Sequence, residues 1–291
     1  MAKFYQIRKS IILSTVSKNT HFTPKGGQKM TKYPDFEEIS ALLRSLRPFL
    51  LDPTSAGEVI VKNRNDFVTA ADLGVQRRLQ QVLGERYPDF RFMGEEDSDH
   101  SVDDAVPTFI LDPIDGTTNY IFSYGLSAVS LALVHHGRAE LGAVYNPYTD
   151  ELFFAMRGKG AFLNEKPIHV LDFSSPADVI AAVGTMPYHK ELADELFRIM
   201  RRLYLDCIDV RRSGSAALDI CHVAAGRVGL YCEKSLKVWD YAAASLILEE
   251  AGGKITDQKG RSLPFYGGSD VAASNGKLHS YLLDVITPEN R

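Results

Sequence analysis

The sequence has 291 residues, of which 45% are hydrophobic and 24% charged, and its formal net charge is −4. A chain of this length and composition buries a large core without disulfides or structural metals. The slight acidic excess excludes a strongly basic nucleic-acid or membrane-surface binder as the default interpretation. No apolar run is long enough to predict a transmembrane helix. We therefore expect neither membrane nor nucleic acid among its partners.

Two features bear on location. The chain has no Asp or Glu before Met30 but carries several Lys and Arg there. We interpret residues 1–30 as a disordered N-terminal extension outside the fold; a targeting segment, or a translation start at Met30, stays open as an alternative. The three cysteines, Cys207, Cys221 and Cys232, show no zinc-site spacing, and their odd number favours reduced thiols in the cytoplasm.

The first half of the chain, residues 31–172, is predicted to be an α+β region. Apolar residues recur at helical spacing over 36–50, and a strand follows at 58–62. Thr69 and Asp72 form a capping-box pattern that opens a second helix through Leu83. Short apolar runs then predict strands at 90–92, 108–111, 128–134, 139–145 and 151–155.

The second half, residues 173–291, is predicted to be an α/β region. The boundary falls at a turn-prone stretch around Ser174, Ser175 and Pro176. Strands are predicted at 180–183, 207–210, 228–231, 254–256 and 271–273. Helices are predicted at 190–203, 215–225, 240–251 and 277–285, the third of which ends at Gly252-Gly253.

The segment Asp-Pro-Ile-Asp-Gly-Thr at 112–117 concentrates residues that can hold a cation. A buried strand is predicted to deliver Asp112 to its C-terminal end, Asp115 follows, and Gly116 lets the chain bend closely. Two carboxylates this close repel each other unless a cation or a proton lies between them. Oxygen ligands select hard cations such as Mg²⁺. An Asp-Gly pair alone is an ordinary turn, but the whole string is far more specific.

Three other segments contain acidic candidates for the same site. Glu95 and Glu96 follow a predicted strand, whereas we interpret the next acidic residues as a solvated loop: Asp97, Asp99, Asp103 and Asp104. Asp240 is predicted to be a helix N-cap, from which a carboxylate can also reach a metal. Asp72 fits a capping box. Walker A, His-Glu-x-x-His and Gly-x-Ser-x-Gly motifs are absent from the sequence, which excludes three competing chemistries.

These segments occur in the same order in the inositol monophosphatase family, which the sequence resembles from residue 35 to 285. The resemblance implies a layered αβαβα sandwich of the inositol monophosphatase and sugar phosphatase type, mixing α+β and α/β parts, and a homodimer. It also implies a phosphoric monoester hydrolase acting on a small phosphorylated polyol or sugar, with inositol 1-phosphate as the preferred substrate. Fructose 1,6-bisphosphate and NADP are alternative substrates. A regulatory protein that binds RNA polymerase or ribosome machinery is the alternative of another class.

The resemblance assigns roles position by position. It implies that two or three Mg²⁺ are held by Glu95, Asp112, the carbonyl of Ile114, Asp115 and Asp240. It implies that Thr117, supported by Asp72 and together with Glu95, acts on the attacking water. Substrate contacts are implied for Lys62, Asp115, Gly116, Thr117, Gly214, Ser215, Ala216 and Glu233. Direct attack of a metal-activated water, without a covalent intermediate, is the implied mechanism, and inhibition by Li⁺ is expected.

Overall fold

Helices and strands fill most of the chain that the computed structural model describes, namely residues 33–55, 57, 59–63, 66–187 and 189–287 without the side chains at 61–63 and 66. The helices are α1 (Phe36–Ser45), α2 (Arg47–Leu51), α3 (Ala70–Arg86), α4 (Thr117–Ile121), α5 (Ala193–Asp206), α6 (Ala216–Ala224), α7 (Val238–Glu250) and α8 (His279–Ile286). The predicted extension at residues 1–30 lies outside the described residues.

The strands form two large sheets and one hairpin. They are β1 (Val59–Asn63), β2 (Asp66–Thr69), β3 (Arg91–Gly94), β4 (Thr108–Asp115), β5 (Ala128–His135), β6 (Arg138–Asn146), β7 (Glu151–Met156), β8 (Ala161–Leu163), β9 (Lys166–Pro167), β10 (Ile180–Val183), β11 (Asp209–Arg211), β12 (Leu230–Lys237), β13 (Lys254–Thr256) and β14 (Gly268–Ser274). The seven-stranded sheet has the order β3-β4-β5-β6-β7-β8-β9, and the five-stranded sheet the order β11-β10-β12-β14-β13. Strands β1 and β2 pair with each other.

Helices α6 and α7 form the middle layer of the molecule, because each contacts strands of both large sheets. On the outer side of the seven-stranded sheet lie α1 and α3, and on the outer side of the five-stranded sheet lie α5 and α8. The layers therefore follow the order αβαβα, which confirms the predicted fold class.

From Tyr241 to Leu248, helix α7 is buried around its whole circumference and is apolar except at Ser245, as expected for a helix between two sheets. Ten residues of this helix are buried, namely Val238, Trp239 and all of 241–248. Strand β6 approaches it so closely that a Cβ at Gly142 would lie 2.3 Å from the carbonyl oxygen of Ala243. This close approach fixes the position of α7, and so of Asp240, against the sheet that carries β4.

The structure differs from the sequence predictions at several element ends. The helix predicted over 36–50 is two helices, because Pro48 has no N–H to continue a helical ladder and instead lies in the first turn of α2. Helix α7 begins two residues before Asp240. All strands of the seven-stranded sheet precede the predicted domain boundary at 172/173, and all strands of the five-stranded sheet follow it. The division into two domains stays a prediction. In the part of the chain that the structure describes, we find no helix with the length and apolarity that a membrane span requires.

Candidate functional site

Strand β4 brings Asp112 and Asp115 to the same side through a β-bulge. In a regular strand, residues three apart point to opposite faces. Here the pairing with β5 shifts by one residue between Asp112, opposite Ser130, and Asp115, opposite Ala128. The extra residue of a bulge re-aims the side chains that follow it. The N–H of Ile114, inside the bulge, donates to Asp112 Oδ1 at 3.0 Å.

The N-terminus of α6 holds Asp115. The Ser215 hydroxyl donates to Asp115 Oδ2 at 2.5 Å, and the N–H of Ala217 donates to the same oxygen at 2.8 Å. The N–H of Ala216 donates to Oδ1 at 3.3 Å. A carboxylate is stabilised at a helix N-terminus because it accepts N–H groups that lack intrahelical partners. Asp115 therefore joins β4 to the middle layer.

Asp240 enters the site from the first turn of α7. The prediction that Asp240 is the N-cap is wrong, because Lys237 occupies that position and Asp240 is the third residue of the helix. Its Oδ2 accepts the backbone N–H of Lys237 at 2.8 Å. One oxygen of the Asp240 carboxylate thus caps the N-terminus of α7.

The three aspartates form one cluster. Single carboxylate oxygens of Asp112, Asp115 and Asp240 all lie within 4.8 Å of one another. Burial, together with the charges of Glu95 and Asp115, raises the pKa of Asp112 well above its ordinary range. Burial and the charges of Asp115 and Glu95 do the same to the pKa of Asp240. Burial raises the pKa of Asp115 to about 6, although its hydrogen bonds from Ser215 and Ala217 oppose the shift.

Glu95 belongs to the same site, at the end of β3. It is half-buried and lines the cleft with Asp112 and Asp240. The prediction of a solvated loop after Glu96 is wrong for Asp97, which is half-buried and accepts the N–H of Gly94 at 2.7 Å. Burial by another element, helix α3, is a long-range effect that local composition does not show.

Asp72 and Thr117 lie side by side next to the cluster. The predicted capping box is confirmed, since Asp72 Oδ2 accepts the N–H of Thr69 at 2.8 Å and its hydroxyl at 2.5 Å. The Thr117 hydroxyl lies 3.4 Å from Asp72 Oδ1 and 3.1 Å from the carbonyl oxygen of Ile114. Burial raises the pKa of Asp72 to about 6. A buried carboxyl with such a pKa can exchange a proton near neutral pH.

The cluster lies in a cleft of about 1270 Å³. Of the other predicted substrate residues, those that line this cleft are Gly116, Thr117, Gly214, Ala216 and Glu233. Ser215 is buried beneath it and bonded to Asp115. The side chain of Lys62 lies outside the described part of the chain. Glu233 is held by the Tyr231 hydroxyl, which donates to it at 2.6 Å, and burial raises the pKa of Glu233.

Asp219 and Arg212 are charged residues that also line the cleft and that sequence reasoning did not place there. Asp219 is 4% exposed, and burial raises its pKa to about 7. Arg212 lines the same cleft, and its positive charge lowers the pKa of Asp219 and of Glu233 against the effect of burial. The available signal for Asp219 was a single acidic residue in helix α6, whose other residues are apolar except His222.

The residues at this site fit a divalent cation. Its donors are carboxylate and carbonyl oxygens, the set that hard cations prefer. Three like charges this close, two of them buried and that of Asp240 half-buried, are unfavourable without compensation, and the pKa of each carboxyl is raised. The fold and this site define a class, the metal-dependent hydrolases with an acidic cluster between sheet and helix ends.

Comparison with known proteins specifies the class. The sequence profile of the inositol monophosphatase family matches residues 38–289, and the chain belongs to this family. It is 38% identical over 231 residues to a Nus factor SuhB of Pasteurella multocida, covering 79% of this chain and 86% of that protein. It is 35% identical over 229 residues to an inositol-1-monophosphatase of Rhizobium meliloti, with 79% and 86% covered. A solved IMPase/NADP phosphatase complexed with Mg²⁺ and phosphate superposes with a TM-score of 0.78 at 25% identity, with 87% of this chain and 95% of that chain covered.

The family match confirms the resemblance that the sequence motifs indicated. Its members are metal-dependent phosphatases of small phosphorylated substrates, and the acidic cluster fits that chemistry. The individual roles of the site residues stay predictions.

Proposed function

We propose that this chain is a Mg²⁺-dependent phosphatase whose preferred substrate is inositol 1-phosphate. The observation that carries the proposal is the convergence of carboxylate oxygens of Asp112, Asp115 and Asp240 within 4.8 Å of one another, in residues that line the cleft. Oxygen ligands of this kind suit Mg²⁺, which uses few carboxylates and completes its shell with water and substrate phosphate. A structurally similar protein carries Mg²⁺ and phosphate, which supports the same ion here.

The proposed ligands are Glu95, Asp112, Asp115, Asp240 and the carbonyl of Ile114. Mg²⁺ bound by them would supply a water of lowered pKa and neutralise charge on the phosphoryl group. The ligands from β3 and β4 and the ligand from α7 converge from two layers, so the site is complete only when both layers are in place.

Thr117 and Asp72 are proposed to handle the proton of the attacking water. The Thr117 hydroxyl accepts the water proton's hydrogen bond and points its own hydrogen toward Asp72 Oδ1, at 3.4 Å, or Ile114 O, at 3.1 Å. Asp72, with a pKa raised to about 6 by burial, then receives the proton. The first N–H groups of α4, which starts after Gly116, have no intrahelical acceptor and are proposed to bind phosphate oxygens.

The other end of the substrate is proposed to contact Glu233, Gly214, Ala216, Ser215 and Lys62. Glu233 and Ala216 line the cleft beside Asp115, which supports a contact with the hydroxyl groups of a polyol. Ser215 is proposed to act through Asp115, the carboxylate to which its hydroxyl is bonded.

A substrate panel tests the proposal. Turnover of inositol 1-phosphate, fructose 1,6-bisphosphate and NADP is compared under saturating Mg²⁺, with Asp112→Asn as the inactive control. We expect inositol 1-phosphate to have the highest kcat/KM. A clear preference for NADP or fructose 1,6-bisphosphate would replace the proposed substrate while keeping the chemistry, and unaltered turnover in Asp112→Asn would refute the metal site. Li⁺ is expected to inhibit by displacing one ion.

A binding function is the second candidate. The observation that favours it is the name of several similar proteins, Nus factor SuhB. Under this alternative, the chain binds the transcription machinery as well as, or instead of, hydrolysing phosphate esters. Two experiments with Asp112→Asn separate the two functions. A pull-down shows whether this variant still binds the transcription machinery, and a rescue assay shows whether it still corrects the cellular defect. Rescue by Asp112→Asn favours binding, and failure to rescue favours catalysis.

We also propose that the chain is a cytoplasmic homodimer. Large apolar side chains are exposed after α4, with Phe122 at 77% and Tyr124 at 64% exposure. Burying such side chains favours association, and the three cysteines are unpaired, as expected for a reducing compartment. Light scattering tests this: we expect a dimer for the wild-type protein and a monomer for Phe122→Ser. A monomeric wild type would refute the dimer, and a dimer that persists in Phe122→Ser would refute the role of this surface.

A further inference from the structure

A buried glutamine on α3, Gln76, contacts the turn that carries Glu95. Its side chain is only 6% exposed. It lies four residues after Asp72, and residues four apart share one face of a helix. One face of α3 therefore presents Asp72 to Thr117 and Gln76 to the turn from Gly94 to Asp97.

Three hydrogen bonds of the Gln76 and Asp97 side chains hold this turn. Gln76 Oε1 accepts the N–H of Glu96 at 3.1 Å, and Gln76 Nε2 donates to Asp97 Oδ1 at 2.9 Å. Asp97 Oδ2 accepts the N–H of Gly94 at 2.7 Å. The carboxylate of Asp97 needs a donor and the N–H of Glu96 needs an acceptor, so only one orientation of the amide satisfies both.

The amide also packs directly on the backbone. A Cβ at Gly94 would lie 2.2 Å from Gln76 Oε1 and 2.3 Å from its Cδ. Glycine at this position lets the side chain of Gln76 touch the residue that precedes Glu95. The turn is thus fixed on both sides of Glu95, by a contact before it and by a hydrogen bond after it.

We propose that Gln76 and Asp97 are positioning residues that hold the carboxylate of Glu95 toward Asp112 and Asp240. The inference rests on the proposed role of Glu95 as a metal ligand. Glu95 lines the cleft, and its negative charge acts on both aspartates. Residues that orient a metal ligand without touching the ion tune the affinity for that ion, by about 10–100-fold in other proteins.

An exchange of donor and acceptor tests the proposal. Gln76→Glu alone places a second carboxylate against Asp97, and Asp97→Asn alone places an amide NH₂ against that of Gln76. In the double variant the new amide at 97 donates to the new carboxylate at 76. That carboxylate still accepts the N–H of Glu96, and the amide oxygen still accepts the N–H of Gly94. The double variant keeps all three hydrogen bonds and the charge of the pair.

The readout is the binding of Mg²⁺ alone by calorimetry, together with the Mg²⁺ dependence of phosphatase activity. We expect each single variant to raise the Kd for Mg²⁺ by about tenfold or more. We expect the Kd of the double variant for Mg²⁺ to lie within about threefold of the wild-type value, since the exchanged pair restores the hydrogen bond between positions 76 and 97. The KM for substrate at saturating Mg²⁺ should stay close to wild type in all three variants, because the turn contacts the ion's ligand and not the substrate.

Matched controls lie on the same elements. Gln81→Glu changes an exposed glutamine of α3 that bonds Glu85, and Asp99→Asn changes an exposed aspartate two residues after Asp97. Single variants that bind Mg²⁺ as tightly as these controls overturn the proposal. So does a double variant that binds no better than the weaker single variant. If a single variant fails to fold, the folded double variant decides: wild-type affinity supports the proposal and weakened affinity overturns it.

Glu95→Gln in the same titration separates this inference from the proposed function. If Glu95→Gln binds Mg²⁺ normally, the ligand role of Glu95 is refuted, and the inference falls with it. If Glu95→Gln weakens binding while both single variants bind normally, the inference alone is refuted.

Discussion

Two helix starts in this molecule have the same local structure and different surroundings. Asp72 in α3 and Asp240 in α7 are each the third residue of a helix. Each accepts the backbone N–H of its N-cap residue at 2.8 Å, from Thr69 in one case and from Lys237 in the other. Local sequence therefore explains both carboxylates equally well as helix caps.

The difference lies in what else each carboxylate meets. Asp72 also receives the Thr69 hydroxyl at 2.5 Å and lies next to Thr117. Asp240 has no such hydroxyl at its N-cap, and its neighbours in the cleft are the like charges of Asp115 and Glu95. Burial raises the pKa of Asp72 although its hydrogen bonds from Thr69 oppose the shift, so it can receive a proton near neutral pH. Asp240 is crowded by like charges, which a bound cation would relieve. The comparison teaches that the surroundings, and not the cap, decide the role.

The largest expected effect comes from removing the charge of Asp240. Asp240→Asn keeps an oxygen for the Lys237 N–H but weakens the cation site, and we expect kcat/KM to fall by about a thousandfold. Asp240→Ala should lose as much activity and also about 1 kcal/mol of stability, because it removes the cap. Steady-state kinetics and thermal melts measure the two effects. Equal melts for the Asn and Ala variants would contradict the capping role.

Asp72→Asn should separate the two roles. We expect kcat to fall by about a hundredfold, because a proton acceptor is lost, while the Kd for Mg²⁺ stays near wild type. Calorimetry with Mg²⁺ and kinetics under saturating Mg²⁺ measure the two quantities. If Asp72→Asn weakened Mg²⁺ binding as strongly as Asp240→Asn, the distinction drawn between the two helix starts would be wrong.

The stability of the metal-free protein should depend on pH through the cluster. Burial raises the pKa of Asp72 and of Asp115 to about 6 from an ordinary value of 3.8. A carboxyl with a raised pKa in the folded state stabilises the fold below its ordinary pKa, and this contribution is lost as the pH rises through 6. Mg²⁺ compensates the charges of the ionised carboxylates, so the increase in Tm on adding a fixed concentration of Mg²⁺ should grow from pH 5 to pH 7.5. At a concentration a hundredfold above the Kd at pH 7.5, the increase should reach about 5 °C at that pH.

Comparing melts with and without Mg²⁺ also removes an opposing effect. Burial lowers the pKa of His222 and His279 to about 4, so these two residues stabilise the fold above the ordinary histidine value of 6.5 and lose that contribution as the pH falls through 4. This effect is the same with and without Mg²⁺ and cancels in the difference. An increase in Tm that is equal at pH 5 and pH 7.5 would contradict the proposed titration of the cluster.

The smallest effect concerns the two N-cap residues. The Thr69 hydroxyl is fully buried and bonded to Asp72 and to the first N–H groups of α3. Thr69→Ala should therefore lower the free energy of unfolding by about 1–2 kcal/mol. Lys237→Ala, at an exposed side chain, should change it by less than about 0.5 kcal/mol. Urea denaturation measures both, and equal losses would show that the two helix starts are held alike.

Local patterns predicted most of the elements and the capping box, because a helix or strand repeats its own period and a box spans only three residues. The motif at 112–117 and Asp240 were also found, since their residue types and order are specific. Asp240 was assigned to the wrong helix position because lysine, the true N-cap, is a poor capping residue. Asp97 and Asp219 were missed for another reason: what buries them comes from distant parts of the chain.

Because of the bulge in β4, the number of residues between Asp112 and Asp115 is more tightly constrained than their identity. One inserted residue between Asp112 and Asp115 would enlarge the bulge or shift Asp115 out of its pairing with Ala128. One deleted residue would keep them on one face but remove the Ile114 peptide, whose N–H holds Asp112 and whose carbonyl meets Thr117. Substitutions at the intervening positions should thus be tolerated far better than any change in their number.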